Sequence, residues 1–120
     1  MNKRTLVLGA SSNESRYSNI ACKMLQEYHH TVIPVGNKSG KIGDLEILVV
    51  PPIEKNIHTI TLYLNPSRQE AYFSYILALN PQRIIFNPGT ENVTLSQLAN
   101  EHGIETIEAC TLVMLRTGQY

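Results

Sequence analysis

The fold is decided by residues 5–35, which read TLVLGASSNESRYSNIACKMLQEYHHTVIPV. Residues 5–9 form a short apolar run, typical of a strand covered on both faces of a parallel sheet. Apolar residues then recur with helical spacing over 18–28. Residues 31–35 form a second β-rich run, and Pro34 places its end near the edge of the sheet. This order predicts two parallel strands joined by a right-handed helical crossover.

The rest of the chain repeats the alternation. A glycine-punctuated loop follows Val35, and residues 45–50 form a short strand or an extended segment that stops at Pro51. The further elements predicted are a strand at 57–64, a helix at about 67–79, a strand at 83–86, a short helix that begins near Thr94 and ends at Gly103, a strand at 104–108 and a helical turn at 111–116. The order predicts an α/β fold with a Rossmann-like, doubly wound, mostly parallel sheet, in a single domain spanning residues 1–120.

Three residues are predicted to begin helices. Ser18 is the expected N-cap of the first helix. Ser67 and Thr94 each stand three residues before Glu70 and Gln97, the spacing of a capping box.

The composition limits the partners of this chain. Ten Lys and Arg residues balance ten Asp and Glu residues, so the formal net charge is zero. A reader of nucleic-acid phosphates needs a concentrated basic face, so no nucleic-acid partner is expected. The same balance weakens self-repulsion, which makes a homodimer easier to form. No apolar stretch approaches the roughly 20 residues that span a bilayer, and the first ten residues lack a secretory signal. We therefore expect a cytoplasmic protein without a membrane partner.

The loop after the first strand carries the first candidate site. Ligands of open α/β sheets bind beyond the carboxyl ends of the strands. Gly9 allows close backbone approach, Ser11 offers a donor, Arg16 offers a cation, and the next helix N-terminus favours an anion. The G-x-G-x-x-G fingerprint is absent. This loop therefore reads either as a phosphate site or as a solvated polar turn.

The loop after the second strand indicates the type of nucleotide. An NAD site usually has Asp or Glu at this position, where the carboxylate accepts hydrogen bonds from the ribose hydroxyls. The sequence has Lys38 and Lys41 instead. These lysines favour a ligand with a phosphate on its adenosine ribose, which means coenzyme A or NADP.

The later strand ends add few chemical groups. Pro88-Gly89 lets backbone approach a ligand without an intervening side chain, or forms an ordinary tight turn. Cys110 stands between a strand and a helix N-terminus, where a thiol is either a reactive group toward a ligand thiol or a small core residue. The four histidines show no metal spacing, and no nucleophile elbow, P-loop or carboxylate pair is present. No catalytic residue and no metal ligand are predicted.

Several of these stretches together resemble a known family. Residues 8–11 (LGAS), 16–18 (RYS), 32–35 (VIPV) and 108–110 (EAC) are similar to the small stand-alone CoA-binding domain proteins. Those proteins resemble the N-terminal CoA-binding domain of the succinyl-CoA synthetase α subunit. The likeness runs from about residue 5 to residue 116.

The resemblance implies a coenzyme A site along the strand ends. The first loop would hold the phosphates, the exit of the second strand would meet the adenosine, and the next two exits would flank the pantetheine. The phosphate-binding residues would be Gly9, Ala10, Ser11, Arg16 and Ser18. The residues near the adenosine would be Pro34, Val35 and Lys38. The residues beside the pantetheine would be Asn65, Pro66, Pro88 and Gly89. Relatives often have Val-Asn-Pro where this chain has Val35-Gly36-Asn37. The chain ends near where the synthetase continues into its ligase domain, so ligase activity is not implied.

Three functions follow from these observations. The first is a CoA-binding module without chemistry of its own, which would act as a carrier, a sensor or a regulatory partner. The second is a small NADP-linked reductase, motivated by the fold and by the lysines after the second strand. The third is an interaction subunit with a vestigial nucleotide pocket, in which the apolar residues 112–115 serve a dimer interface, unless they pack against the sheet.

Overall fold

Five parallel strands form the main sheet, and helices cover both of its faces. The computed structural model describes residues 1–120. The elements are β1 (Thr5–Leu8), α1 (Tyr17–Glu27), β2 (Val32–Val35), β3 (Lys41–Ile42), β4 (Leu45–Glu46), β5 (Thr59–Leu62), α2 (Pro66–Gln69), a 3₁₀ turn (Glu70–Tyr72), α3 (Phe73–Leu79), β6 (Arg83–Phe86), α4 (Val93–Glu101), β7 (Glu105–Glu108) and α5 (Thr111–Arg116).

The order of the strands is β2-β1-β5-β6-β7, and every pairing in this sheet is parallel. The chain runs from β1 outward to β2 and then returns to the other side of β1 at β5. The carboxyl ends of β1 and β5 therefore flank the topological switch point, where open α/β sheets bind their ligands. The predicted doubly wound, Rossmann-like sheet is confirmed.

Two apolar cores lie on opposite faces of the sheet. Because side chains alternate along a strand, Leu6 and Leu8 of β1 face one core while Val7 faces the other. The first core packs against Ile76 of α3 and Leu95 of α4. The second core packs against α1 and α5. Both faces of the central strands are buried, which explains the continuous apolar runs 6–8 and 84–86. The buried Thr59 and Thr61 of β5 instead accept hydrogen bonds from Arg83 and Asn87.

The edge of the sheet at β2 has an additional segment beside it. Pro34 lies inside β2, which is an edge strand as predicted. The segment 45–50, predicted as a short strand or an extended segment, begins with β4, which pairs with β3 in a two-stranded hairpin. It continues to a single parallel bridge between Leu48 and Val35. Leu48 N–H donates to the Pro34 carbonyl at 2.9 Å. Pro51 and Pro52 follow directly and have no N–H to extend this pairing.

The predicted helix starts were wrong in all three cases, and in α2 and α4 an asparagine nearer the true end provides the cap instead. Arg16, not Ser18, is the N-cap of α1, and it makes no side-chain cap. Asn65 caps α2 by accepting from the Arg68 N–H, with proline at the next position, so Ser67 lies inside the helix. Asn92 caps α4 through the Leu95 N–H, and Thr94 lies inside that helix too.

The helix predicted at 67–79 is broken by a 3₁₀ turn. Its first turn carries Gln69, whose side chain is fully buried and hydrogen-bonded to neighbouring loops. Ile76 is buried as the helical period predicts, but Ala71 is exposed. A polar anchor rather than apolar periodicity therefore orients the start of this segment.

None of the helices combines the length and the apolar character that a bilayer crossing requires.

Candidate functional site

A groove of about 840 Å³ crosses the carboxyl ends of β1, β2, β5 and β6. It lies at the switch point that the strand order creates, and its volume is within the range of about 300–1,000 Å³ typical of small-molecule sites. Its lining residues are Gly9, Ala10, Ser11, Ser12, Arg16, Gly36, Asn37, Lys38, Tyr63, Leu64, Asn65, Ser67, Arg68, Ala71, Tyr72, Pro88, Gly89 and Thr90.

The first loop of the groove is held by the neighbouring strand. Gly9 has φ +100°, a conformation that favours glycine. In this geometry the N–H groups of Gly9 and Ala10 both donate to the Val35 carbonyl at 2.9 Å. Behind the loop, Asn19 Nδ2 donates to the Ser11 carbonyl at 2.9 Å. The N–H groups of Ser11 and Ser12 have no acceptor in the chain, so they remain available to an anion.

The second loop packs directly on the first. A Cβ atom on Gly36 would lie 2.4 Å from the Ala10 carbonyl oxygen. Only glycine therefore lets the exit of β2 approach the loop after β1 this closely. This contact brings Asn37 and Lys38 to the same groove as Ser11.

All charged residues that line the groove are cations. They are Arg16, Lys38 and Arg68, and no acidic side chain lines the groove. None of the three takes part in an ion pair, since the one ion pair of the chain joins Arg4 to Glu54. In a chain of zero net charge, this concentration of unpaired cations favours an anionic ligand.

The opposite wall of the groove is fixed by a buried glutamine. Gln69 Nε2 donates to the Leu64 carbonyl at 2.8 Å and to the Thr90 carbonyl at 2.7 Å. Its Oε1 accepts from Asn92 Nδ2 at 3.1 Å. These bonds tie the loop after β5 to the loop after β6, so the two loops form one rigid wall.

A second cavity, of about 320 Å³, adjoins the groove; we call it the side cavity. Tyr63 and Pro88 line both spaces, which makes them the boundary between the two. The lining residues of the side cavity are Tyr17, Tyr63, Asn87, Pro88, Cys110, Leu112, Val113 and Arg116.

The floor of the side cavity is a satisfied polar network. Asn87 Nδ2 donates to Thr61 Oγ1 at 2.7 Å and to the Leu62 carbonyl at 2.8 Å, while its Oδ1 accepts from the Thr111 N–H at 2.9 Å. Asn87 thereby joins the ends of β5 and β6 to the first residue of α5. The asparagine has no unsatisfied group to offer a ligand.

Tyr63 lines both spaces, but its hydroxyl is buried and is not exposed in either of them. Burial raises the pKa of its phenol above the ordinary value, and the nearby Thr111 and Thr61 hydroxyls oppose part of this rise. The phenol oxygen is buried without a partner in hydrogen-bonding geometry. The boundary between groove and side cavity is therefore apolar on the side of Tyr63.

The two cysteines differ in their access to solvent. Cys22 lies in the core, where burial raises the pKa of its thiol to about 12. Cys110 is partly exposed, forms the N-cap position of α5 and lines the side cavity.

Eight of the twelve residues predicted to bind the cofactor line the groove: Gly9, Ala10, Ser11, Arg16, Lys38, Asn65, Pro88 and Gly89. The other four do not. Ser18 is buried within α1, and Pro34 and Val35 are buried within β2. Pro66 is exposed at the start of α2, outside the lining. Val35 supports the groove indirectly, because its carbonyl accepts the hydrogen bonds from Gly9 and Ala10 that hold the first loop.

Sequence reasoning missed one wall of the groove. Tyr63 and Leu64 were predicted to lie in a strand, but β5 ends at Leu62, so both belong to the exit loop. Arg68 and Tyr72 were assigned to a helix and not considered for the site. Arg68 follows directly after the predicted site residues Asn65 and Pro66, and its positive charge was the available signal.

The fold and the groove together define a doubly wound α/β protein with a cationic groove at its switch point. A comparison with protein-family models matches residues 3–116 to the family described as CoA binding domain. The chain therefore belongs to the CoA binding domain family. No match was found among curated proteins.

Solved structures agree with this fold. One relative, described only as an uncharacterized protein, is 43% identical and superposes with a TM-score of 0.98, covering 100% of this chain and 99% of its own. A hypothetical protein from Pyrococcus horikoshii OT3 is 24% identical, with a TM-score of 0.87 over 97% of this chain and 83% of its own. A Thermus thermophilus protein is 19% identical, with a TM-score of 0.84 over 98% and 91%. The last two likenesses concern the fold alone.

Proposed function

We propose that this protein binds coenzyme A in the groove, without chemistry of its own, as a carrier, a sensor or a regulatory partner. The observation that carries the proposal is the charge of the groove: its only charged residues are the unpaired cations Arg16, Lys38 and Arg68. Coenzyme A carries a pyrophosphate and a ribose phosphate at one end. A cationic cleft at a switch point suits such a ligand.

Each part of the cofactor has a matching part of the groove. The pyrophosphate lies on the first loop, beside Arg16 and the free N–H groups of Ser11 and Ser12. The ribose phosphate lies beside Lys38, where no carboxylate opposes it. The pantetheine then passes between Asn65 and the Pro88-Gly89 turn, whose Gly89 has open space on its Cβ side. Ser18, Pro34, Val35 and Pro66 support these loops without touching the ligand.

Calorimetric titration tests the proposal with four ligands: CoA, CoA lacking the ribose phosphate, NADPH and NADH. We expect CoA to bind with micromolar affinity. Charge-assisted hydrogen bonds contribute about 1.5–3 kcal/mol, so Arg16→Ala should weaken CoA binding by about 10- to 100-fold. Lys38→Ala should weaken the binding of CoA by about ten-fold and should hardly change the binding of CoA that lacks the ribose phosphate.

The matched control is Lys55→Ala, which removes an exposed lysine outside the groove. It should leave all four affinities unchanged. Binding of NADPH alone, with hydride transfer in an activity assay, would replace the proposal by the reductase. No binding of any ligand would favour an interaction subunit with a vestigial pocket.

Cys110 belongs to this proposal as a thiol near the pantetheine end. In exchange with the disulfide form of CoA, its thiolate would attack one sulfur, form Cys110–S–S–CoA and release one CoA thiolate. Mass spectrometry after incubation with CoA disulfide should show one adduct on Cys110 and none on the buried Cys22. An unmodified Cys110 would remove this step and leave CoA binding untouched.

A further inference from the structure

We infer that the side cavity is an acyl pocket, so that the preferred ligand is an acyl-CoA with a short to medium aliphatic chain rather than free CoA. The inference rests on the proposed function, because the acyl group enters the side cavity only from a CoA held in the groove. It adds a second subsite and a substrate class to that function.

The first argument is continuity. Tyr63 and Pro88 line the groove on one side and the side cavity on the other. A pantetheine that passes along Pro88 therefore ends at the mouth of the side cavity. A group attached to the sulfur would then lie next to that space, with only Tyr63 and Pro88 shared between the two.

The second argument is the chemistry of the walls. Five of the eight lining residues are hydrophobic, among them Leu112 and Val113 of α5 and the aromatic residues Tyr17 and Tyr63. The one carboxamide, Asn87, has its hydrogen bonds satisfied inside the protein. A polar acyl group would find few partners there, whereas an aliphatic chain would lose water-exposed surface.

The third argument is the exposed apolar rim. Tyr17 is 71% exposed and Val113 is 51% exposed, although both stand at this cavity. Arg116, the only charged lining residue, lies on the exposed side of α5, where its stem can cover apolar surface while its guanidinium stays in water. An aliphatic chain between Tyr17 and Val113 would cover both side chains.

The volume sets the length of the chain. A methylene group takes up roughly the 30 Å³ that a water molecule occupies in the liquid. The 320 Å³ of the side cavity therefore accepts at most roughly ten carbons. Because the cavity is partly open, we expect the affinity to stop rising at about six to eight carbons.

The experiment is a titration of the reduced protein with CoA and with its acetyl, butyryl, hexanoyl, octanoyl and dodecanoyl thioesters. Affinity should rise about two-fold or more per added methylene up to hexanoyl or octanoyl, and then level off. Succinyl-CoA, which has the same number of acyl carbons as butyryl-CoA, should bind more weakly than butyryl-CoA.

Two variants localise the effect. Val113→Glu puts a charge at the rim of the side cavity and should abolish the gain from the chain while free CoA binds as before. Val93→Glu puts the same charge on the exposed start of α4, and it should keep the gain. Unchanged binding of free CoA shows that each variant is folded.

The outcomes separate the two proposals. If CoA binds but its affinity does not depend on chain length, or if Val113→Glu leaves the gain intact, the acyl pocket is refuted and the CoA site stands. Tighter binding of succinyl-CoA than of butyryl-CoA would overturn the aliphatic assignment, because it would indicate that Arg116 binds the succinyl carboxylate. If neither CoA nor any thioester binds, the proposed function itself fails.

Discussion

Gly36 joins the first two loops of the site, and its missing side chain is what allows the contact. In Gly36→Ala, the new Cβ would meet the Ala10 carbonyl oxygen at 2.4 Å, so one of the two loops must move. We expect a loss of about 1–3 kcal/mol in the free energy of unfolding, as for other overpacked sites, together with weaker CoA binding. Urea unfolding and titration with CoA measure the two effects.

Gly43→Ala is the control for this change. Gly43 has φ +58° and nothing within 4 Å of its Cβ position, at the turn between β3 and β4. Gly43→Ala should lower the free energy of unfolding by about 1–2 kcal/mol, because alanine is strained in a left-handed backbone conformation. It should leave the affinity for CoA unchanged. Equal CoA affinity in wild type and Gly36→Ala would show that the loop contact is not needed for the site.

Asn87 is the residue on which the floor of the side cavity depends. Asn87→Ala leaves the Thr111 N–H and the Leu62 carbonyl without their partner in a buried place. Since an unsatisfied buried group costs about 1–3 kcal/mol, we expect a loss of about 2–3 kcal/mol in the free energy of unfolding. Asn100→Ala, at an exposed position of α4, should change stability by less than about 0.5 kcal/mol. Chemical denaturation of both variants compares them, and equal effects would contradict this role.

At the scale of the element, two substitutions at the start of α4 compare the observed N-cap, Asn92, with the predicted one, Thr94. Asn92 accepts from the Leu95 N–H at 3.1 Å, and it also donates to Gln69. Asn92→Ala should therefore lower the free energy of unfolding by about 1–2 kcal/mol. Thr94→Ala should stay within about 0.5 kcal/mol, because alanine is the better helix former and Thr94 makes no cap. A larger loss in Thr94→Ala, measured by thermal unfolding, would restore the capping box predicted there.

Element boundaries also explain how much of the site the sequence predicts. Apart from Ser18, the residues predicted after β1 and β6 line the groove, because glycine or proline marks those strand ends clearly. The residues predicted at β2, Pro34 and Val35, lie inside the strand, and contact begins one position later, at Gly36. The β-rich run at 57–64 extends two residues beyond the true strand, so its exit residues Tyr63 and Leu64 were missed. An apolar or aromatic side chain suits a strand and a pocket wall equally, and the sequence pattern does not separate the two.

At the scale of the whole molecule, the end of the sheet opposite the groove, where the strands begin, carries a cluster of basic residues: Lys3, His30, His58 and Arg83. His30 Nδ1 accepts from the Lys3 N–H at 3.0 Å, which requires that nitrogen to be unprotonated. Arg83 stacks on the Tyr120 ring at 4.4 Å and donates to Thr59. Burial, followed by the charge of Lys3, lowers the pKa of His30. Burial, followed by the charge of Arg83, lowers the pKa of His58.

This cluster predicts a loss of stability in mild acid. Above the ordinary histidine pKa of 6.5, both rings are neutral in the folded and the unfolded chain. As the pH falls below 6.5, the unfolded chain takes up protons first, so the free energy of unfolding decreases. The urea midpoint should be lower at about pH 5.5 than at about pH 7.5, with a smaller difference in His30→Gln. His29→Asn, outside the cluster, is the control, and an unchanged pH dependence in His30→Gln would refute the assignment.

The sequence by itself determined the order of the main strands and helices along the chain, because apolar runs and helical periods are local. It also favoured a doubly wound parallel sheet, because the rules of parallel connection are few. It also predicted that Arg16, Lys38 and the Gly9 loop follow strands, and these residues do line the groove. Only the tertiary structure decided that Gly36 must touch Ala10, that Gln69 ties two loops together and that Asn87 builds the floor of a second cavity. Each of these depends on groups far apart in the chain, and no local pattern encodes their meeting. Burial is the physical reason for these contacts, because a polar side chain such as Gln69 or Asn87, once removed from water, must form its hydrogen bonds with other groups of the protein.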